Sequence, residues 1–204
     1  EPKTMYRLIP EEQPHVETAR RVTAEVIRPL AETTDRESRF PTEGLKALGD
    51  AGLMGLTISK DHGGLGASLR CSVAVVDEIA QGCASTAMVY LMHLCGLTVY
   101  NAVPQVAGDH LKAAAQGKHL TTLAWSEAGS RSHFWAPVSR AEDHGDHAVL
   151  NAKKSWVTSA GHADGFVTTT GVEGGIDLYL IEKEDAGFEI AGPWDAMGMR
   201  GNAS

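Results

Sequence analysis

The sequence is poor in several things that would have named a function at once. It has no basic run, and its 18 Lys and Arg against 26 Asp and Glu leave a formal charge of −8. A nucleic-acid surface is therefore not indicated. Cysteine is scarce: Cys71, Cys83 and Cys95 are the three present, with no Cys-x-x-Cys or Cys/His ligand spacing. An odd, scattered set excludes a disulfide framework or a cysteine-based zinc site and suits a reducing compartment. The regular separation of these cysteines reads as recurrence of buried helical faces. No stretch approaches the roughly 20 apolar residues that span a bilayer. The opening EPKTMYRLIPEEQ lacks the charged-then-apolar layout of a secretory leader. The expectation is a soluble protein of the cytoplasm, or of the mitochondrial matrix in a eukaryote as the mature form of an imported chain.

What is present is an ordinary core-forming composition, 43% hydrophobic and 22% charged over 204 residues. The chain splits by period. Residues 11–116 repeat apolar side chains at helical spacing. Val16, Ala19, Val26, Ile27 and Leu30 share one helix side, with a kink expected at Pro29. Pro41 suits the first turn of a short helix carrying Leu45 and Leu48. SKDHGGLGAS, 59–68, reads as a structural turn, since no Lys-Ser/Thr follows to make a phosphate loop. Residues 85–103 are apolar nearly all round and predict a buried helix, with Ser85 as its N-cap and His93 as a packed core histidine. A last helix over 104–118 closes at Gly117.

Beyond Gly117 the runs shorten and alternate, rich in Val, Thr, Leu and aromatics, with turn signals between them. HLTTLAWSEAG, WAPVSRAED, HAVLNAKKSWVTSA, GFVTTTG, DLYLIEK and GFEIAG are the expected strands. The fold class expected is α+β, an N-terminal helical domain (1–117) followed by an antiparallel β-sandwich or barrel domain (118–204). Within KKSWVTSA, Trp156 looks buried, and two readings of it stand open. It fills a core, or it lays an aromatic wall, with the Thr158 hydroxyl, against a planar cofactor.

Five segments in order then carry a resemblance. RPLAETTDRESRFP (28–41), LKALGDAGLMGLTISKDHGGLG (45–66), LAWSEAGSRSH (123–133), KKSWVTSAGHAD (153–164) and MGMRG (197–201) are similar to successive segments of the acyl-CoA dehydrogenase family. The third resembles that family's aromatic-x-x-Thr-Glu-Pro-x-x-Gly-Ser-Asp loop, the fourth its Lys-x-Trp-Ile-Thr strand. The resemblance covers the N-terminal helical and middle β domains nearly end to end, and the family's C-terminal helical domain has no counterpart in these residues.

The resemblance implies FAD as cofactor and α,β-dehydrogenation of an acyl-CoA. Trp156 would cover the isoalloxazine, with Val157 on the same segment and Thr158 hydrogen-bonding near flavin N5. Leu123, Trp125 and Ser126 would meet the pyrimidine edge. Ser132 would reach the FAD pyrophosphate and the bound acyl-CoA substrate. The catalytic base would come from the C-terminal domain, so Glu127 is read as structural and Arg200 as a structural ion-pair partner; His162 is read as a solvated turn residue. An electron-transfer flavoprotein is the implied electron acceptor, a homo-oligomer the implied assembly, and no metal is implied. The sequence departs from the family at Leu123, Ala128 and His133, which puts substrate class in doubt, and Phe134 and Trp135 either reshape an acyl pocket or pack beneath the loop. Two other classes stay open: a flavin monooxygenase on the same fold, and a non-catalytic partner subunit.

Overall fold

The structure, a computed structural model, describes residues 6–131 and 133–204. Helix α1 (Gln13–Val22) runs through one wide turn, Thr23–Ile27, into α2 (Arg28–Arg36). Pro29 explains the wide turn. Its ring would strike the carbonyl of Glu25 and it has no N–H to donate. Arg28 N–H instead bonds Thr23 O, five residues back, so the expected kink is a one-turn π-bulge. Pro41 precedes α3 (Thr42–Asp50) as its N-cap residue rather than lying in its first turn. Its carbonyl accepts from Leu45 N–H at 3.0 Å.

Three more helices complete this half: α4 (Leu69–Ala80), α5 (Ala84–Ala102) and α6 (Pro104–Ala115). Ser68 caps α4, its hydroxyl accepting from Cys71 N–H at 3.2 Å. Ser85 does not cap α5: the helix begins one residue earlier, at Ala84, and Ser85 is buried in its first turn. At the end of α6, Gly117 takes φ +70°. Lys118 N–H bonds Ala113 O and Gly117 N–H bonds Ala114 O, the paired bonds of a Schellman close.

The helical core is continuous. Leu48, Leu53, Leu56, Ile79, Leu97 and Leu111 are all at most 1% exposed, and each such side chain is worth about 1.5–3 kcal/mol over its exposed state. Its Tyr90 and His93 are paired, whereas the buried Thr23 hydroxyl has no partner among the described residues. Tyr90 Oη donates to Leu53 O at 2.7 Å. His93 is fully buried; its Nε2 bonds Met54 O at 3.0 Å while Nδ1 accepts from Thr121 N–H at 3.2 Å. That pattern fixes the neutral ring with its proton on Nε2. Burial holds its pKa down at about 4, against the opposing bond to Met54.

The β half holds a three-stranded sheet, β1 (Thr121–Ala124), β4 (Gly165–Val172) and β5 (Gly175–Glu182), in the order β1-β4-β5, and a hairpin of β2 (Ala141–Asp143) and β3 (Ala148–Leu150). The α+β architecture is as expected, with one difference of detail. β4 and β5 pair antiparallel, but β1 pairs β4 in parallel, Thr121 opposite Gly165. The long connection 125–164 makes the parallel return possible. Of HAVLNAKKSWVTSA only Ala148–Leu150 is a strand, and GFEIAG forms none.

α5 packs along β1 and so ties the halves together. At Gly96 the approach is close enough that a Cβ would fall 2.7 Å from Thr121 Cγ2, so only glycine fits there. Among the described residues no helix is long and apolar enough to cross a membrane. Cys71, Cys83 and Cys95 are free thiols, the first two buried.

Candidate functional site

The two motif segments, thirty residues apart in sequence, are zipped together. Ser155 N–H donates to Ser126 O at 2.9 Å, and Glu127 and Lys154 form an isolated antiparallel bridge. Their side chains make a buried ion pair, Lys154 Nζ to Glu127 Oε1 at 2.6 Å, with the two side chains only 10% and 3% exposed. Glu127 Oε2 also accepts from the N–H groups of Val138 (2.5 Å) and Ser139 (2.9 Å), and Oε1 accepts from Ser139 Oγ. Lys154 reaches across to the carbonyl of Thr169 on β4. Burial opposes ionisation of Glu127, but the bonds from Lys154 and Ser139 and the backbone donors together outweigh it. They hold its pKa at about 2. Glu127 is therefore a fixed anion bracing the loop 126–139.

Each predicted contact residue has a definite place. Leu123 sits half-buried in β1 opposite Val167. Trp125 and Ser126 are half-buried just beyond it. The Trp125 ring stacks on Phe134 at 5.4 Å between centroids, and Phe134 meets Trp135 edge-on at 4.9 Å. Phe134 and Trp135 are 45% and 58% exposed, so they lie over the surface and not beneath the loop. Trp125 Nε1 is buried and has no hydrogen-bond partner among the described residues. Ser132 lies outside the described residues.

Trp156 is neither on a strand nor buried. It occupies a bend at φ +58° and is 71% exposed, touching Trp194 edge-on with ring centroids 5.4 Å apart. The segment cannot continue as a strand because its donors go elsewhere. Ser159 N–H bonds Asn202 O and Ala160 N–H bonds Ala203 O, at 2.9 and 3.0 Å. Val157 points into a small apolar cluster with Ala124, Ala163 and Phe166. Thr158 is buried; its hydroxyl lies 3.3 Å from Ser204 Oγ, whose single proton goes to Asn202 Oδ1 at 2.9 Å.

Backbone strain gathers in these segments. Seven described non-glycine residues take positive φ, and five of them are Arg131, Trp156, Ser159, Met199 and Ala203. Each costs on the order of 1–3 kcal/mol and persists only where its surroundings fix it, a pattern associated with binding sites.

Arg200 does not make the expected ion pair. Its guanidinium donates to the carbonyls of Asp35 (2.8 Å) and Arg36 (2.6 Å), binding the C-terminal end of α2. His162 sits in a turn as expected, but stacks on Phe40 with centroids 3.8 Å apart. The residues missed by sequence reasoning are Lys154 and Trp194. Lys154 is the lysine of the Lys-x-Trp pattern itself, so a signal was there, but a partner 27 residues away is invisible to local spacing.

A cleft of about 730 Å³ opens beside Trp156, walled by Val157, Phe166 and Ile181 and by the loop 185–194, with Lys153 and Lys154 at its polar side. Trp156 and Val157 line it; Leu123, Trp125, Ser126 and Thr158 do not. Its volume is in the range of cofactor and ligand sites. Of the predicted contact residues, Trp156 gives the cleft an exposed indole face and Val157 an apolar wall, which suit a planar aromatic group.

Comparison with known proteins identifies both halves of the chain. Residues 10–118 match the acyl-CoA dehydrogenase N-terminal domain and residues 122–204 the acyl-CoA dehydrogenase middle domain. The short/branched chain specific acyl-CoA dehydrogenase, mitochondrial, of Rattus norvegicus is 31% identical over 192 residues, covering 88% of this chain and 43% of that protein. A probable acyl-CoA dehydrogenase from Mycobacterium abscessus superposes with a TM-score of 0.83 at 26% identity, over 94% of this chain and 53% of that one. Nitrososynthase from Micromonospora carbonacea superposes with a TM-score of 0.81 at 25% identity, over 96% and 52%. The chain spans about half the length of the curated relatives it matches. With both of its halves matched in order, this chain belongs to the acyl-CoA dehydrogenase family.

Proposed function

We propose that this chain forms the flavin-binding part of an FAD-dependent enzyme that oxidises an acyl-CoA thioester across its α,β carbons. The observation that carries the proposal is the junction of the two motif segments, which leaves the Trp156 indole exposed a short turn from the Thr158 hydroxyl. FAD, when bound, supplies the acceptor for the hydride equivalent leaving the β-carbon. Trp156 would cover one face of the ring and exclude water there. Thr158 would donate a hydrogen bond where reduction places charge. Backbone groups of Trp125 and Ser126, with Leu123 behind them, would meet the opposite edge, and Ser132 is proposed for the pyrophosphate and the thioester. Val157 anchors the turn in the apolar cluster.

Glu127 is not the base. A carboxylate held at a pKa of about 2 takes a proton poorly at neutral pH, and its oxygens are occupied by Lys154, Ser139 and Val138. No residue of this chain is assigned the role. An electron-transfer flavoprotein is the proposed acceptor of the electrons, the domains are proposed to meet near Gly117, and a homo-oligomer in the cytoplasm or mitochondrial matrix is the proposed setting.

The test begins with colour: the purified protein should be yellow and release FAD on denaturation. Trp156→Ala should leave a large apo fraction, and full FAD retention in that variant would remove Trp156 from the site. Thr158→Val should slow flavin reduction by about ten- to a hundredfold, the equivalent of a hydrogen bond to a charged group. Anaerobic mixing with an acyl-CoA panel, in the presence of the region that supplies the base, should bleach the flavin. The nitrososynthase likeness makes oxygen the alternative substrate to exclude. Rapid oxygen uptake with an oxygenated product, and no anaerobic bleaching, would replace this proposal with the monooxygenase reading.

A further inference from the structure

Away from the cleft, three side chains converge where the helical half meets the sheet. His110 lies on α6, His119 in the connection that follows it, and Glu182 at the end of β5. None of them lines the cleft. His110 Nε2 lies 3.3 Å from Glu182 Oε1. The two imidazoles face each other with centroids 4.8 Å apart and planes tilted by 37°. One possible ligand atom from each of the three lies within 4.8 Å of the others.

We propose that His110, His119 and Glu182 form a transition-metal site, taking Zn²⁺ or an ion of similar ligand preference, that ties α6 to the end of β5. Two imidazoles and one carboxylate are a recurring zinc donor set, with bonds of about 2.0–2.2 Å and a fourth position left to water. Such bonds place neighbouring ligand atoms about 3.3 Å apart around a tetrahedral ion. His110 and Glu182 already stand at that separation. The His119 ligand atom, within 4.8 Å of the other two, closes by up to about 1.5 Å to complete the site.

His119 is 6% exposed and lies at the inner side of the cluster. Tyr100 Oη sits 3.3 Å from His119 Nε2 and fixes the ring, the outer-shell support that metal-bound histidines require. Lys183, next to Glu182, is neutralised by Asp164 at 2.5 Å. The His110 and Glu182 side chains are 36% and 29% exposed, so an ion reaches them without unfolding.

The experiment uses untagged, metal-stripped protein titrated with Zn²⁺ by calorimetry, and with Co²⁺ followed by visible absorption. One equivalent should bind, with the intense Co²⁺ bands of a four-coordinate site, and should raise the melting temperature. His110→Gln and Glu182→Gln, both at partly exposed positions, should each weaken binding by about tenfold or more while leaving the far-ultraviolet spectrum unchanged. The exposed hairpin pair His144 and His147, stacked at 4.9 Å, is the competing place for a metal, so His144→Gln/His147→Gln should leave the site intact. Absence of a stoichiometric site, or binding that survives both His110→Gln and Glu182→Gln, or binding lost with the hairpin histidines, overturns the proposal.

Discussion

The two halves of this chain solve the folding problem differently. Helices α1 to α6 bury their apolar side chains in one continuous core and pair Tyr90 and His93 within it. The β half has a cluster built on Ala124, Val157, Ala163 and Phe166, a sheet of three strands, and long segments without regular structure. It also carries five of the seven positive-φ residues that are not glycine among the described residues. Packing holds the first half, whereas the second depends on a few long-range polar contacts. The difference teaches where to look for stability and where for binding: loops set on a rigid support are free to hold functional groups in unusual geometries.

That contrast is broken most severely at the Glu127–Lys154 pair. Lys154→Ala leaves a buried carboxylate without its cation and should destabilise the protein by about 3–5 kcal/mol. Urea unfolding measures this; a loss below about 1 kcal/mol would mean the backbone donors of Val138 and Ser139 suffice. On the other side, Leu97→Ala in the fully buried face of α5 should remove about 2–5 kcal/mol. An effect as small as that of a surface change would show the helical core to be looser than its burial implies.

Acid should separate the halves in stages. His93 is buried neutral, its folded pKa at about 4 against 6.5 when free. Its contribution is full above pH 6.5 and is lost as pH falls towards 4. Glu127, at about 2 against 4.5, contributes fully above pH 4.5 and loses its share as pH falls towards 2. Each window is worth on the order of 3 kcal/mol. Urea midpoints across pH should become shallower between 6.5 and 4 in His93→Gln, with His119 keeping the rest of that slope, and should flatten between 4.5 and 2 in Glu127→Gln. Exchange of those two windows between the variants would refute the assignment. The smallest effect sharpens the comparison: Trp156→Ala, at an exposed residue, should change stability by under about 0.5 kcal/mol even as it empties the proposed flavin site.

Legibility in the sequence follows the same division. Helices are made by contacts three and four residues apart, so the period of 16, 19 and 27 and the stop at Gly117 were readable directly. His93 was readable as core because its neighbours are apolar on every side. The wide turn at Thr23–Ile27 was half-readable, since Pro29 announces a disruption but not its form. In the β half, local alternation misled. KKSWVTSA alternates like a strand, yet Ser155, Ser159 and Ala160 donate to Ser126, Asn202 and Ala203, partners that no local spacing names. The parallel return of β4 onto β1 is equally remote. Motif resemblance, which carries distant contacts implicitly, found the segments there, although it placed Trp156 on a strand and gave Arg200 a carboxylate partner where it has carbonyls.

Trp125, Trp135, Trp156 and Trp194 are the four tryptophans of the sequence, and all lie in the β half. The chain is thus optically partitioned. Indole emission reports only the β half, with Trp156 and Trp194 lining the cleft, while helical ellipticity reports mainly the other half. The 71% exposed Trp156 should emit at long wavelength, and a planar ligand laid on it should quench that emission. With Trp194 edge-on at 5.4 Å, the two chromophores are close enough to couple, and a near-ultraviolet dichroism band lost in either Trp156→Phe or Trp194→Phe would belong to the pair. Occupancy of the site and integrity of the helical support can therefore be followed at once, at two wavelengths, without a label.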